Sequence, residues 1–459
     1  MPLGMRLRRR TLIIPEGRTD LSWVRGFWES VRDYVFVREE DKVVILPPNM
    51  VYKTNKTGLE ILAMLDSGAL FERLRGIDDA RLRDIASFLS DIKAICEGRQ
   101  VATERVAYGL DFTKLPILGE IAVTYRCNNR CLFCYAGCGS GGSCGHGNAA
   151  EREMETREIE RVIDIFREKA KIPFFSFTGG EPLLRDDLES LIAYASGRHL
   201  RVNLITNGTL ASPERARSLY RAGLRTAQVS LESPDPAIHD SLCGAPGSHA
   251  GTLAGIEALA DAGIRVQTNS TITLPNRESL FSMPAYLRDL GVLRFSMNLY
   301  IPAANAARAP ELFVPYTETG VFVDEIRKRA HAAGLTFYWY SPTPLCIYNP
   351  VARGLGNKSC AAADGLLSVD PAGNILPCSS YPESLGNLLE EDFAGLWFSE
   401  RASYFKHKRY APESCLRCGS FTACQAACPL YWSYAGYGEL ERAASGNPER
   451  AAVAVPEMR

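Results

Sequence analysis

The sequence predicts an α/β protein: an open, TIM-like partial (β/α)6 barrel, preceded by a small α+β module and followed by an irregular extension. Three observations carry this expectation. From about Leu118, short apolar strands alternate with helical patterns. Before residue 100 the pattern is that of a hairpin followed by helices. After about Thr343 the helical periodicity weakens while Cys, Pro and Gly accumulate.

The first module spans residues 33–100. "YVFVR" and "KVVIL" flank the polar turn "EED" and predict a hairpin, and "MVYKTN" a third strand. In "KTGLEILAMLDSG", Leu59, Leu62 and Leu65 share a helical stripe that Gly68 stops. A second amphipathic helix follows from about Asp78 to Cys96, and the polar stretch from "EGRQ" to "DFTK" reads as a linker. The barrel covers residues 115–340. Its six strands are "GEIAVTY", "PFFSF", "RVNLIT", "TAQVSL", "RVQTNSTIT" and "RFSMNLY". Among the helices between them, "TREIERVIDIFREKA" places Ile159, Val162, Ile163 and Phe166 on one stripe. Such alternation implies a parallel sheet with right-handed crossovers, whose strand C-termini frame a ligand crevice. The extension, residues 343–440, is expected to be a winding segment held together by metal rather than by a large apolar core.

Composition narrows the function classes. At 459 residues and 46% hydrophobic, the chain can bury several cores. A formal net charge of −1 gives no reason to expect nucleic acid or an acidic membrane as partner. The one dense basic run, "RLRRR" at residues 6–10, reads as a mobile, solvated terminus. No apolar stretch approaches the roughly 20 residues of a membrane span, and no signal-peptide core opens the chain, so a cytoplasmic location is expected. Fourteen cysteines in such a chain point to metal ligation rather than disulfides.

"TYRCNNRCLFCYAGC" places Cys127, Cys131 and Cys134 in a C-x3-C-x2-C pattern at the end of the first barrel strand. Three thiolates on a four-iron cubane leave one iron open. A zinc site completed by Cys138 or Cys144 is the alternative on local spacing. With Phe133 just before Cys134, the pattern resembles the signature of radical S-adenosylmethionine (SAM) enzymes. The resemblance implies a [4Fe–4S] cluster whose open iron chelates SAM, reductive cleavage to a 5′-deoxyadenosyl radical, and a reductant such as flavodoxin or ferredoxin. "FTGGEP", with Gly179, Gly180, Glu181 and Pro182, looks like the family's glycine-rich motif. There the glycines would bring the backbone to the cofactor, and a carbonyl or carboxylate would accept from its ammonium. Asn207 in "ITNGTL" and Ser230 in "QVSLES" fall where similar enzymes hold the ribose and the carboxylate. "HDSLCGAPGS" departs from the pattern: Cys243 stands where related enzymes often carry an arginine.

The second set of cysteines comprises Cys360, Cys378 five residues after Gly373, and Cys415, Cys418, Cys424 and Cys428 in a C-x2-C-x5-C-x3-C run. A zinc ribbon is the alternative for any C-x2-C pair. The whole arrangement resembles the SPASM extension, which carries auxiliary [4Fe–4S] clusters. The resemblance assigns Cys346, Cys360, Cys378 and Cys428 to a first auxiliary cluster and Cys415, Cys418 and Cys424 to a second. The second cluster's usual fourth cysteine would lie beyond Cys428, where the sequence has none; an oxygen ligand, an open iron or no second cluster are the options. Cys96 reads as a small buried hydrophobe, and Cys138 and Cys144 as bystanders in a glycine-rich loop.

"KVVILPPNMVYKTNKTGLEILAMLDSG" resembles PqqD-like domains, winged-helix-like modules that bind the leader of a ribosomally made peptide. An extended peptide would add a strand to the sheet. The alternatives are a docking module or a nucleic-acid binder, and near-neutral charge disfavours the latter. Together the resemblances imply a maturase that oxidatively modifies, or crosslinks, a ribosomally made peptide or protein. Three other readings stay open: an enzyme acting on a small cofactor precursor of tetrapyrrole or pterin type, a non-catalytic electron-transfer protein, and a zinc-stabilised binding protein. No catalytic acid or base stands out.

Overall fold

Residues 5–7, 19–46, 50–74, 77–99, 101, 103–105, 110–137, 152–303 and 309–445 are described by the computed structural model. They fall into two units that divide between Ile117 and Leu118.

The first unit holds strands β1 (Met5–Leu7), β2 (Phe36–Arg38), β3 (Val43–Leu46), β4 (Met50–Lys53) and β5 (Thr103–Arg105), in the sheet order β2-β3-β4-β1-β5. Its helices are α1 (Trp23–Val31), α2 (Lys56–Asp66), α3 (Leu70–Arg73) and α4 (Asp79–Cys96). The expected hairpin forms, with Phe36 opposite Ile45, and β4 adds the third strand. Both long helices begin at caps that satisfy an amide left without a helical partner. Asn55 accepts from the Gly58 N–H at 2.8 Å, and Asp78 from the Arg81 N–H at 2.9 Å. Val44, Leu62, Leu65, Leu89 and Ile92 meet in one core.

Two features depart from expectation. Helix α1, outside the expected module, joins this core through Val24 and Trp28. Met5–Leu7, which takes in the first two residues of the run expected to be solvated, pairs in parallel with β4 and antiparallel with β5, which itself lies in the expected linker; residues 8–10 of that run lie outside the described residues. A strand needs only a sheet edge for its backbone groups, and its composition need not announce it.

The second unit contains β6 (Leu118–Thr124), α5 (Thr156–Glu168), β7 (Phe174–Gly179), α6 (Leu188–Gly197), β8 (Arg201–Thr206), α7 (Pro213–Ala222), β9 (Thr226–Ser230), α8 (Pro236–Cys243), α9 (Ser248–Asp261), β10 (Arg265–Ile272), α10 (Met283–Asp289), β11 (Arg294–Leu299), α11 (Tyr316–Ala332) and β12 (Thr336–Trp339). The strands β6 to β12 lie side by side in chain order, all parallel. Ile159, Val162, Ile163 and Phe166 are fully buried on α5, as the stripe predicts. Phe166, Phe175 and Phe177 stack edge to face between helix and sheet. All six expected strands are present, and β12 is a seventh, too short for its alternation to stand out.

The extension is irregular but continues the same sheet. β13 (Leu366–Val369) pairs in parallel with β6, and β14 (Asn374–Leu376) and β15 (Gly386–Asn387) follow antiparallel. It therefore covers the edge that an open barrel leaves at its first strand. It also brings apolar side chains of its own, with Leu367, Val369, Phe393, Trp397, Tyr431 and Trp432 buried. The expectation of a segment held by metal alone is corrected to that extent. Among the described residues no helix is long and apolar enough to cross a membrane.

Candidate active site at the strand ends

Cys127, Cys131 and Cys134 lie in the loop directly after β6. The end of β7 is pressed against that loop. The Gly180 N–H donates to the Thr124 carbonyl and the Glu181 N–H to the Arg126 carbonyl, both at 2.8 Å. A Cβ at Gly179, whose φ is +136°, would sit 2.1 Å from the Thr124 carbonyl oxygen, and one at Gly180 would sit 2.2 Å from that of Arg126. The two glycines thus bring strand β7 flush with the cysteine loop.

Glu181 belongs to the same junction. Its fully buried carboxylate accepts from the Leu183 N–H at 3.0 Å, Thr206 Oγ1 at 2.7 Å and the Asn207 N–H at 2.8 Å. Burial raises its pKa and these donors oppose the rise. A carboxylate so engaged ties β7 to β8. Pro182, also buried, opens the short turn Pro182–Leu184 behind it.

Asn207 is likewise engaged with the loop. Its Nδ2 donates to Asn128 Oδ1 at 2.9 Å and its Oδ1 accepts from the Thr209 N–H at 2.9 Å. Asn128 Nδ2 donates to Thr209 Oγ1 at 2.8 Å. Asn128 and Thr209, which sequence reasoning did not single out, complete a network that fixes the residue after Cys127. The signal was there in the paired polar loops "CNN" and "NGT".

The other side of the loop rests on α8. The Arg130 and Leu132 N–H groups donate to the Cys243 and Leu242 carbonyls, both at 2.9 Å. The Cys243 thiol hydrogen-bonds Cys131 and lies 3.5 Å from His239 Nε2. His239 Nδ1 accepts from the Glu232 N–H at 3.1 Å, so Nε2 carries the proton and faces the sulfur. The shared hydrogen bond raises the Cys131 thiol and, helped by His239, lowers that of Cys243. Glu232, buried beside them, is raised by burial. Phe133 packs against Leu242, Tyr300 and Leu312 and anchors the loop. Ser230 ends β9, half-buried and in register with Asn269.

In the extension the thiols form two groups, and their membership differs from the expected one. Cys378 lies among Cys360 and Cys428, whereas Cys415 lies among Cys346, Cys418 and Cys424. Cys346, expected with the first set, is joined to the second by the adjacent Leu345 N–H, which donates to Cys424 Sγ at 3.3 Å. Burial, then neighbouring thiols, pushes Cys415 and Cys428 up to about 12; burial pushes Cys127 up to about 11. Thiols gathered in this way, from buried Cys360 and Cys428 to exposed Cys346, suit a soft, thiophilic centre, which ligates them as thiolates. Among the described residues no three Cys, His, Asp or Glu side chains converge as a single metal ion would require. A cubane takes its thiolates on separate irons, so it needs no such convergence. Cys138 and Cys144 lie outside the described residues.

Comparison with known proteins agrees with this geometry. Residues 121–290 match the radical SAM superfamily, and residues 360–419 match SPASM, an iron–sulfur cluster-binding domain. The chain is a radical SAM enzyme with a SPASM domain. Its cofactors are SAM, the [4Fe–4S] cluster that binds it, and auxiliary iron–sulfur centres. The AdoMet-dependent heme synthase of Nitratidesulfovibrio vulgaris is 28% identical over 315 residues, covering 65% of this chain and 82% of that protein. Mycofactocin maturase MftC of Mycolicibacterium smegmatis is 26% identical over 335 residues, covering 71% and 80%. The structure of Streptococcus suis SuiB bound to precursor peptide SuiA superposes with a TM-score of 0.64 at 14% identity, covering 87% of this chain and 95% of that one, a likeness of fold.

The concave face of this radical SAM barrel is polar but almost uncharged. Asn269 Nδ2 donates to Asn298 Oδ1 at 2.8 Å, and Gln267 Nε2 to Ser296 Oγ at 3.1 Å and Tyr340 Oη at 2.9 Å. Asn203 Nδ2 donates to Ser176 Oγ at 3.2 Å, and Gln228 stands in register with Gln267. The Lys358 ammonium lies 5.7 Å from the Tyr340 ring centre, and burial lowers its pKa to about 8.

Proposed function

We propose that this enzyme oxidatively modifies a ribosomally made peptide or protein, forming a crosslink. The uncharged amide and hydroxyl lining of the concave face carries this reading. Asn203, Gln228, Gln267, Asn269 and Asn298 offer both donors and acceptors, which match peptide groups. When bound, the cluster and SAM would supply reductive radical chemistry able to remove a hydrogen atom from a substrate carbon. Cys127, Cys131 and Cys134 would hold that cluster. Gly179, Gly180 and Glu181 fix their loop from one side, and α8 fixes it from the other. Closing the crosslink from the substrate radical would release a further electron and a proton, and the auxiliary cysteines would hold groups able to accept the electron.

The similarity to mycofactocin maturase supports a peptide substrate. The first unit, with its hairpin and the helices α2 and α4, would hold the leader segment by adding it to the sheet. A reductant such as flavodoxin or ferredoxin would reduce the clusters, in the cytoplasm.

The heme-synthase similarity favours a second reading, a tetrapyrrole precursor. Its carboxylates would want cations; beyond the first residue of each strand the concave positions of β6 to β12 bear neither Arg nor Lys, which leaves Lys358, beside Tyr340, to serve them.

The test is an anaerobic iron and sulfide count with a 5′-deoxyadenosine assay after dithionite reduction. It compares wild type with the Cys127→Ala/Cys131→Ala/Cys134→Ala variant. Wild type should hold more than one cluster and cleave SAM; the variant should keep auxiliary iron and not cleave. Leader-bearing peptides should stimulate cleavage and lose hydrogens by mass spectrometry. Stimulation by a carboxylated tetrapyrrole instead would overturn the peptide reading, and zinc in place of iron would overturn both.

A further inference from the structure

Sequence resemblance leaves the second auxiliary cluster one cysteine short and gives the first a full set. The structure reverses this. Cys346 lies in the turn after Pro344, whose carbonyl accepts from the Ile347 and Tyr348 N–H groups, both at 3.0 Å. From that turn the Leu345 N–H reaches Cys424 Sγ at 3.3 Å. The run that carries the partners is folded tightly: Cys418 N–H donates to the Cys415 carbonyl at 3.0 Å, and Cys424 N–H to that of Ser420 at 2.9 Å.

The other three thiols are gathered elsewhere, by separate contacts. The Ala363 N–H donates to the Pro377 carbonyl at 2.9 Å, which draws the loop after Cys360 to the residue before Cys378. Lys408, fully buried, donates to the Cys360 carbonyl at 2.7 Å. Tyr410 shares a hydrogen bond with Cys360 and donates to the Ala427 carbonyl at 3.1 Å, beside Cys428.

What separates the groups is the three-residue link between Cys424 and Cys428. Gln425, Ala426 and Ala427 all have left-handed backbones, with φ of 56°, 55° and 60°. Trp432 Nε1 holds the Ala426 carbonyl at 2.5 Å. The reversal sends Cys428 away from Cys424 and toward Cys360 and Cys378.

We propose, on the basis of the iron–sulfur reading above, that Cys346 completes a four-thiolate cluster with Cys415, Cys418 and Cys424, while the cluster on Cys360, Cys378 and Cys428 keeps one iron for a ligand other than cysteine. Such an iron can bind an exogenous group; a fully thiolate-ligated one only conducts electrons. The auxiliary centre nearest the sheet, reached through β13 and β14, is then the one able to take a substrate donor atom.

The test uses the full chain with Cys127, Cys131 and Cys134 replaced by Ala, so that only auxiliary centres remain. In this background iron and sulfide should equal two clusters. After dithionite reduction, the electron paramagnetic resonance signal lost in Cys346→Ala should be the one lost in Cys415→Ala and retained in Cys378→Ala. Cys346→Ser, which keeps an oxygen ligand on a tolerant loop, should shift that same signal rather than remove it. 13C-cyanide should couple to one centre, and the coupling should vanish in Cys378→Ala and persist in Cys415→Ala. A Cys346→Ala spectrum matching Cys378→Ala, or cyanide coupling absent or lost with Cys415, would overturn the assignment while leaving the iron–sulfur reading intact. Absence of iron in the background protein would instead remove that reading.

Discussion

The loop after β6 and the region after Thr343 both gather thiols, and they do so by opposite means. The first takes three cysteines from one stretch and braces it between regular elements, β7 on one side and α8 on the other. The second draws its cysteines from four separate stretches and orders them with single buried contacts: Lys408, Tyr410, Trp432 and a left-handed turn. A local motif can borrow its geometry from the sheet. A dispersed one must build its own, so beyond its apolar side chains it depends on a few polar groups whose loss is expensive.

Lys408 offers the largest expected effect. Its ammonium and the Asp364 carboxylate lie 3.6 Å apart with side chains 0% and 3% exposed. Lys408→Met should leave a buried carboxylate without its cation and destabilise the apoprotein by about 3–5 kcal/mol. Chemical denaturation would measure it; a loss under about 1 kcal/mol, as for a surface pair, would show that the dispersed region does not depend on this contact. The strand-end loop should fail differently. Gly180→Ala drives a methyl into the Arg126 carbonyl, and only a backbone shift relieves it. A displacement of that kind costs on the order of hundredfold in rate. The variant should lose 5′-deoxyadenosine formation to about that extent and keep its auxiliary signals. Normal turnover would mean the loop tolerates displacement, and the comparison would lose one side.

The same contrast decides what the sequence revealed. The α5 stripe, the six strands and the hairpin were legible because each is a local period. That Cys127, Cys131 and Cys134 share one loop at the end of β6 was legible because their spacing is local too. The placement of Cys346 beside Cys424 was not legible, because the 13 residues between Cys346 and Cys360 do not say which way a loop turns. Nothing in "QAA" marks three left-handed residues, since glycine or asparagine would be the usual signal. Glu181 reads as a ligand because a carboxylate beside two glycines is chemically suited to be one. The three donors that converge on it, from β8, the residue after β8 and the turn after β7, give it a positioning role that the motif does not announce.

Tyr410 gives the smallest effect and the sharpest view of the dispersed region. One hydroxyl serves two partners, the Ala427 carbonyl at 3.1 Å and Cys360, and burial raises its pKa well above the usual tyrosine range. It therefore stays a neutral donor throughout the working pH range. The carbonyl it satisfies belongs to the last left-handed residue, where a non-glycine conformation costs about 1–2 kcal/mol. Tyr410→Phe keeps the ring and removes only the hydroxyl, so the change isolates the hydrogen bond from the packing. The expected loss is about 1–2 kcal/mol, the cost of leaving a buried carbonyl without its donor. It should be accompanied by faster release of iron from the Cys360, Cys378 and Cys428 centre than from the centre containing Cys346. Equal release from both would mean that the turn and the two thiol groups are not separately held.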